Sequence, residues 1–313
     1  MPKQVRHDNR QGEKMPELPE VETIRLGLQK KIIGLTIKKV QILSPKSFIG
    51  KKEEVENKRV IAVFRRAKIL GIDVGDSSPS AQNDKGFTLL FHLKMSGQLI
   101  YEDEKRFIGG HPTEDMMGKM PNSHTRVIFS FSDPLRREAS GSKLYFNDQR
   151  KFGWVKTVQS SKIKDQSFFK DLGPEPLKKE FTWKILKSNL LNHKSQPVKV
   201  AIMDQSVVAG IGNIYANEAC FDAGLSPQTK VKELTDEQFE KLHHGIITSL
   251  TEGIKHGGST RAHFVDTDGR KGYFLDYAFV YGRDKQPCKK CKTEIRKIQL
   301  AGRGTYFCPK CQR

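Results

Sequence analysis

The chain has 313 residues, 36% of them hydrophobic, and its 55 lysines and arginines against 36 acidic residues give a formal charge of +19. The length suggests two domains with room for a small third module. No apolar run approaches the roughly 18 residues of a membrane-spanning helix, and no secretory signal opens the chain, so we expect a cytoplasmic protein with no membrane partner. The positive charge favours nucleic acid as a partner over a generic basic role.

The stretch MPELPEVETI begins at Met15, although Met1 and Pro2 already open the chain. Residues 1–15 are polar and lack periodicity, so we predict a disordered extension that is absent from the active protein. Residues 16–34 predict a short strap followed by a helix, because Pro19 suits a first helical turn and acidic residues follow it.

The next part of the chain, residues 16–158 including the helix, has the pattern of a β-sandwich domain. Several runs rich in β-branched and aromatic residues are separated by turn residues. The segments 75–86 and 133–143 are polar and predict exposed loops between strands. The runs are TIKKVQIL, RVIAVFRRAKILGIDV, FTLLFHLKMSGQLIYE, TRVIFSF and KLYFNDQRKFGWVKTV.

From residue 159 the hydrophobic period becomes helical and predicts a helical domain that ends near residue 256. Thr235 and Gln238 form a capping box at the start of its last helix. The small residues of AGIGN, before Asn213, allow close backbone approach, either in a plain helix–helix turn or at a phosphate bound by a helix N-terminus. The polar, glycine-rich region 257–279 predicts a functional loop.

The last segment, residues 280–313, carries four clustered cysteines. Two residues separate each pair, and sixteen separate the pairs. Two such pairs bind tetrahedral zinc, whereas two disulfides would require an oxidising compartment, which this chain gives no sign of entering. We predict one structural Zn²⁺ on a basic hairpin that lies on phosphates, and a buried role for Cys220. The ligands would be Cys288, Cys291, Cys308 and Cys311.

These motifs together resemble the formamidopyrimidine-DNA glycosylase family of bacterial repair enzymes. The resemblance extends from Pro16 to Arg313. The related endonuclease VIII proteins begin Pro-Glu-Gly-Pro, so Leu18 favours the branch that acts on oxidised purines. The shared motifs are PELPEVET, RRAKIL, HLKMSGQL, RKFG, LGPEPL, GIGNIYANEA, GRKGYF, VYGRDKQPC and the zinc ribbon.

The resemblance implies an α+β multidomain fold, with an N-terminal β-sandwich and helix, a helix-two-turn-helix DNA-binding domain, a lesion-recognition loop at 257–279 and a C-terminal zinc ribbon. It implies a base-excision repair enzyme that removes 8-oxoguanine and formamidopyrimidines and then nicks the strand by β,δ-elimination. The partner would be double-stranded DNA containing oxidised bases or abasic sites, bound by a monomer at the nucleoid.

The chemistry would begin at Pro16. An amino-terminal proline is a secondary amine, and α-amino groups have a pKa of roughly 7.7–8, so part of the amine is unprotonated near neutrality. It can attack the sugar and form an iminium, an electron sink that permits elimination. The resemblance makes Glu17 the acid that protonates the sugar and gives Lys68 roles in phosphate contact and proton transfer. It gives Arg303 roles in DNA binding and in the later elimination. With Met15 attached, the nitrogen of Pro16 would be a tertiary amide, so we expect the active enzyme to start at Pro16.

Further residues match positions of the family that contact DNA. Three of them would fill the void left by an extruded base, namely Met95, Arg150 and Phe152. The others are His124, Lys194, Lys199, Asn213 and Tyr215.

Two lysines depart from the family pattern. Lys94 stands where glycine is common, and Lys151 stands where many members have arginine. Two other functions stay open at this point, an endonuclease VIII-like enzyme for oxidised pyrimidines and a non-catalytic DNA-binding protein that retains the extension.

Overall fold

The structure, a computed structural model, describes residues 15–75, 86–103, 107–110 (backbone only), 118–132, 141–259 and 274–313. The prediction for the extension lies outside the described residues except at Met15, as do the predictions for the interiors of the loops 75–86 and 133–143. The same holds for most of the proposed loop region 257–279.

The first helix, α1, spans Leu18–Ile32 and begins as the sequence predicts, with Pro19 in its first turn. Its buried face points in two directions. Val21, Ile24 and Leu28 belong to the core of the strand-rich part, whereas Leu18 belongs to the core of the helical part. The start of α1 is therefore packed between two domains.

The strand-rich part contains ten described strands in one continuous hydrogen-bonded order, β2-β10-β5-β4-β3-β1-β8-β9-β6-β7. All neighbours are antiparallel except β2 and β10. The strands are β1 Thr36–Ile42, β2 Phe48–Ile49, β3 Arg59–Arg66, β4 Ile69–Gly75, β5 Phe87–His92, β6 Gly97–Glu102, β7 Phe107–Gly110, β8 Thr125–Ser132, β9 Lys143–Asp148 and β10 Trp154–Gln159.

This sheet folds over on itself and forms the predicted sandwich. In a flat sheet, β5 and β8 would lie roughly 19 Å apart, because they are four positions apart in the order. Instead the rings of Phe91 on β5 and Phe129 on β8 are 5.7 Å apart, and Phe146 on β9 lies 6.3 Å from Phe91. The fold line runs between β1 and β3, whose ladder has a single registered pair.

Two of the connections between the halves of the sandwich lie at the same edge. Residues 93–96 connect β5 to β6, and residues 149–153 connect β9 to β10. We refer to these segments as the two crossover turns. They carry all three residues predicted to fill the void in DNA.

The helical part follows at residue 167, and no helix among the described residues combines the length and apolar character needed to cross a bilayer. The last long helix begins at the predicted capping box of Thr235 and Gln238 and is followed by Gly257 at φ +70°. Cys220 is fully buried, as predicted. The helices are α2 Ser167–Lys170, α3 Trp183–Leu190, α4 Val198–Ala201, α5 Asn213–Asp222, α6 Asp236–Lys255 and α7 Phe274–Tyr277.

The C-terminal cysteine segment forms the predicted hairpin, with β11 at Arg296–Leu300 and β12 at Arg303–Phe307. It docks against α5 through asparagine side chains rather than through another strand. Asn213 Nδ2 donates to the carbonyl of Gly304 at 3.1 Å, and Asn217 Oδ1 accepts from the N–H of Tyr306 at 2.7 Å. Because these asparagines lie four residues apart on one helix face, they satisfy the free edge of β12.

Candidate active site

The centre of the site is the carboxyl group of Glu17, which lies at the N-terminus of α5. Its oxygens accept from the backbone N–H groups of Gly212 at 2.7 Å, Ile214 at 2.9 Å and Tyr215 at 3.4 Å. A helix N-terminus leaves these N–H groups without intrahelical partners and attracts negative charge. Three of the N–H donors that could have bound a DNA phosphate are therefore occupied by Glu17.

Two glycines of the AGIGN motif make this approach possible. A Cβ on Gly212 would lie 2.3 Å from Cδ of Glu17, and one on Gly210 would lie 2.7 Å from Leu18. Gly210 also has φ +92° and accepts a hydrogen bond from the N–H of Leu18 through its carbonyl. The close approach expected from this motif is confirmed, and what approaches is the strap at Glu17 and Leu18.

A second acid, Glu20, joins three parts of the site. It accepts from the N–H of Glu17 at 2.8 Å, the hydroxyl of Tyr215 at 2.8 Å and the N–H of Ser259 at 2.7 Å. Ser259 is the last described residue before position 260. Glu20 therefore links the strap, α5 and the end of the segment that follows α6.

Burial sets the electrostatics of the centre. It raises the pKa of Glu17 to about 7, although Lys68 and the helix N–H groups act in the opposite direction. Burial also lowers the pKa of Lys68, which Glu17 and Glu20 oppose. A carboxyl group with a pKa near neutrality can both donate and accept a proton, which suits general acid–base chemistry.

Lys68 is placed by a charged clasp that joins the RRAK and LGPEPL motifs. The guanidinium of Arg65 pairs with Glu175 at 2.8 Å and with Glu22 at 3.1 Å, and the N–H of Ala67 donates to Glu175 at 2.6 Å. Ala67 has φ +52°, which turns the chain between β3 and β4. The clasp holds this tight turn, so the next side chain lies in the interior beside Glu17.

The zinc hairpin brings a further cation to the same place. Arg303 begins β12, is exposed, and acts electrostatically on Lys68 and Lys199. Lys199 is fully buried, its ammonium group donates to Oδ1 of Asn213, and burial lowers its pKa to about 8. The structure thus brings Glu17, Lys68 and Arg303 together, as the sequence predicts, with Asn213 held between Lys199 and β12.

The residues predicted to fill the void lie together on the crossover turns. Met95 Sδ is 3.5 Å from a guanidinium nitrogen of Arg150, whose Cζ lies 5.3 Å from the ring centre of Phe152. Phe152 is 59% exposed, which for a phenylalanine at the tip of a turn argues against a core role. His124 lies in the turn before β8, and its carbonyl accepts from the N–H of Asp148 at 2.9 Å.

Two of the predicted DNA contacts, Lys199 and Tyr215, have fully buried side chains, whereas a third, Lys194, is exposed. Tyr215 is fully buried and its hydroxyl donates to Glu20, so direct contact of its side chain with DNA does not fit the structure. The aromatic ring belongs to the core, where it also packs on Phe274 at 5.0 Å. Lys194 is exposed on the turn between α3 and α4, away from this core.

Sequence reasoning did not single out His92, the last residue of β5. Its Nδ1 accepts from the N–H of Lys94 at 3.0 Å, so the ring proton is on Nε2. Burial, together with the charges of Lys94 and Lys68, lowers the pKa of His92 to about 3. The ring is therefore a neutral hydrogen-bond donor beside a cationic site. The sequence pattern did not predict this role, because the geometry of the turn fixes the tautomer.

The four cysteines meet the requirements of a zinc site. Their sulfur atoms all lie within 4.8 Å of one another. Two sulfur pairs are separated by 3.9 Å and 3.4 Å, close to the roughly 3.8 Å that a tetrahedron with 2.3 Å Zn–S bonds requires. Because all four ligands come from the protein, the metal would be structural. The ligands are Cys288, Cys291, Cys308 and Cys311.

Comparison with protein families gives three consecutive matches. The formamidopyrimidine-DNA glycosylase N-terminal domain matches residues 15–155, and the H2TH domain of the same enzymes matches residues 172–265. The zinc finger found in FPG and IleRS matches residues 285–313. The three matches fall on the sandwich, the helical part and the cysteine hairpin.

Individual proteins give the same result over nearly the whole chain. Formamidopyrimidine-DNA glycosylase of Pelotomaculum thermopropionicum is 36% identical over 96% of this chain and 99% of its own length. The Bacillus subtilis enzyme is 37% identical over 95% of this chain and 99% of its own length. A Lactococcus lactis Fpg mutant solved in complex with a Fapy-dG containing DNA has a TM-score of 0.78 at 30% identity, covering 95% of this chain and 100% of that one. Lactococcus lactis Fpg in complex with an abasic site containing DNA also has a TM-score of 0.78 at 30% identity, covering 95% and 99%.

Proposed function

The chain belongs to the formamidopyrimidine-DNA glycosylase family, and on that premise we propose that it excises oxidised purines from double-stranded DNA through the nitrogen of Pro16 and then nicks the abasic strand. The observation that carries this proposal is the buried Glu17 carboxyl, which follows Pro16 in the chain and lies among Lys68, Arg303 and the N-terminus of α5.

The proposed reaction starts with an unprotonated Pro16 amine, which attacks C1′ of the damaged nucleotide as the base leaves. Glu17, protonated, donates to the ring oxygen of the sugar, which opens to an iminium. The iminium withdraws electrons from C2′, so a proton is lost there and the 3′-phosphate departs. Lys68 and Arg303 neutralise the phosphates around the sugar. Water then hydrolyses the imine and releases the amine.

The damaged base must leave the helical stack before this amine can reach its sugar. The proposed wedge is formed by Met95, Arg150 and Phe152, which lie together at the edge of the sandwich. Two apolar groups replace stacking contacts, while the guanidinium can hydrogen-bond the unpaired base. Asn213 and Lys194 are proposed to contact phosphates.

This mechanism requires that residues 1–15 be removed, or that synthesis start at Met15 with loss of that methionine. A test is borohydride reduction in the presence of an 8-oxoguanine duplex, which traps only an imine. A chain that starts at Pro16 should give a covalent adduct, whereas a chain with residues 1–15 attached should bind the same DNA and give none. Efficient trapping by the extended chain, with its start confirmed by mass spectrometry, would show that another amine is the nucleophile.

Experiments with the Pro16 chain also distinguish two competing functions. Failure of the Pro16 chain to trap would favour a non-catalytic DNA-binding protein. Faster excision of thymine glycol than of 8-oxoguanine would favour an endonuclease VIII-like activity on oxidised pyrimidines.

A further inference from the structure

The two crossover turns are distant in sequence, yet a single buried carboxylate joins them. Asp148, the last residue of β9, is fully buried. Its Oδ1 accepts from the hydroxyl of Ser96 in the first turn and from the N–H of Arg150 in the second turn at 3.2 Å. Its Oδ2 accepts from the N–H of Gly153 at 2.6 Å. The carboxylate thus closes the second turn from both ends.

Ser96 completes the connection from the first turn. Its Oγ donates to Asp148 and also accepts from the N–H of Arg150 at 3.0 Å. Ser96 directly follows Met95, so the same side chain fixes the backbone beside two of the three proposed wedge residues. We call the pair of Ser96 and Asp148 the wedge clasp.

The turns that the clasp joins contain strained backbone. Lys94 has φ +51° and Lys151 has φ +60°, in the left-handed region that residues with a side chain rarely adopt. Such conformations persist only when the surroundings enforce them. A Cβ on Gly153 would lie 2.9 Å from Cζ of Phe146 and 3.1 Å from Oδ2 of Asp148, so glycine allows the second turn to approach this carboxylate.

We propose that Ser96 and Asp148 are positioning residues for base extrusion, which act through Met95, Arg150 and Phe152 and take no part in the chemistry at the sugar. This inference rests on the proposed function. A clasp that binds the backbone of both turns keeps the wedge in one arrangement before DNA arrives. Without it, part of the binding energy must be used to order the turns, and extrusion of a stacked, paired base becomes slower.

Loss of the wedge clasp should affect two substrates differently. Excision of 8-oxoguanine requires that a base be unstacked and unpaired, whereas an abasic site has no base to extrude and needs only the chemistry. Damage to the clasp should therefore reduce excision and leave nicking of abasic DNA unchanged. It should also weaken discrimination of the base opposite the lesion, because Arg150 is the group that would read it.

The decisive variant is Ser96→Ala, which removes one hydroxyl and leaves the carboxylate in place. Loss of a hydrogen bond to a charged acceptor corresponds to a change of roughly tenfold. We expect single-turnover excision of 8-oxoguanine to fall by about that factor, with a reduced ratio between opposite cytosine and opposite adenine, and nicking of abasic duplex to stay within about twofold. Ser96→Thr, which keeps the hydroxyl, should restore both excision and discrimination.

The matched control is Ser47→Ala. Ser47 is also fully buried in the sandwich and its hydroxyl bonds to that of Ser44, outside the crossover turns. Equal losses on both substrates, an unchanged opposite-base ratio, or the same selective loss in the control would overturn the inference. Failure of the unaltered Pro16 chain to form a borohydride adduct would overturn the proposed function and the inference with it, whereas adduct formation with an ineffective Ser96→Ala change would overturn the inference alone.

Discussion

At the scale of single residues, the proposed chemistry depends on the hydrogen bonds that the carboxyl group of Glu17 accepts. Glu17 precedes α1, yet its side chain bonds to the start of α5, 195 residues further along the chain. The neighbouring acid Glu20 instead accepts the N–H of Glu17 at the start of α1 and the hydroxyl of Tyr215. The two acids of PELPE therefore have separate roles, which the helix-capping pattern alone does not distinguish.

Replacing Glu17 by glutamine removes the proton that the sugar ring requires. We expect Glu17→Gln to lower base excision by roughly 10²–10⁴-fold, the usual contribution of a positioned acid. Nicking of abasic DNA should persist, because an abasic sugar already opens to the aldehyde that Pro16 attacks. Comparison of single-turnover rates on the two substrates measures this, and equal losses on both would contradict the assigned role.

The pH dependence of excision follows from the same group. Burial raises the pKa of Glu17 to about 7, so its acid form is present below that pH and is lost above it. The Pro16 amine is active only when unprotonated, with a pKa of roughly 7.7–8. Excision should therefore follow a bell-shaped profile with its maximum between these values, measured by single-turnover rates across pH. A rate that still rises well above this range would exclude Glu17 as the proton donor.

The pH dependence of folding stability is expected to depend on another acid, Glu175. Its side chain is 12% exposed and that of Arg65 is 8% exposed, so Glu175→Gln removes one of two carboxylates from the buried guanidinium and leaves Glu22 at 3.1 Å, at a cost of about 1–3 kcal/mol. Although burial opposes it, pairing with Arg65 keeps the pKa of Glu175 below its ordinary value. A depressed pKa contributes stability above the unfolded pKa, and this is lost as pH falls through the folded value. Thermal melts should show a large deficit at neutral pH that shrinks in acid, and a constant deficit would contradict this.

At the scale of elements, α5 organises most of the site. Its N-terminus binds Glu17, and one of its faces binds the edge of β12 through Asn213 and Asn217. The position of Arg303, at the start of β12, thus depends on a helix in another domain. The zinc ion would hold the hairpin together, and the two asparagines set where the hairpin lies.

Asn217→Ala tests that dependence. The change leaves the N–H of Tyr306 without its acceptor, which costs about 1–3 kcal/mol, and loosens the docking of β12. We expect unchanged zinc content but weaker binding of lesion DNA, measured by metal analysis and titration. Gln299→Ala, on the exposed face of β11, is the control. Loss of zinc in Asn217→Ala would show that the asparagine supports the metal site rather than the docking.

The elements that local sequence specifies were predicted correctly. The cysteine spacing gives the zinc hairpin because all its contacts lie within about thirty residues, and the capping box of α6 is similarly local. The clasp between Arg65 and Glu175, the wedge clasp and the neutral His92 were not predicted. Each depends on contacts between strands or turns that are distant in the sequence, and the spacing of residues along the chain does not predict such contacts.

At the scale of the whole molecule, the charge of +19 and the juxtaposed cations indicate a strongly electrostatic interaction with DNA. The buried cations Lys68 and Lys199 serve the site itself. The exposed ones, including Arg303 and Lys194, are available for phosphates.

The salt dependence of DNA affinity measures the contribution of the exposed lysines and arginines. Each phosphate neutralised should contribute roughly 0.9 log unit of affinity per log unit of salt. Lys194→Ala should reduce that slope by about one contact on damaged and undamaged duplex alike, whereas Lys39→Ala, on the exposed side of β1, should leave it unchanged. An equal change in both variants would indicate general charge rather than a defined phosphate contact.

The bond between Glu17 and the start of α5 also has a consequence for protein synthesis. Ribosomes add ~5–20 residues per second, so roughly 10–40 s pass between the appearance of Glu17 and that of the N–H groups that hold it. During that time the sandwich segment can fold, but the acid has no partner and its pKa is that of an ordinary glutamate. The nascent chain therefore acquires the bonded carboxyl that we propose as its acid only after the helical domain is made, and an incomplete chain released early would lack this proposed centre.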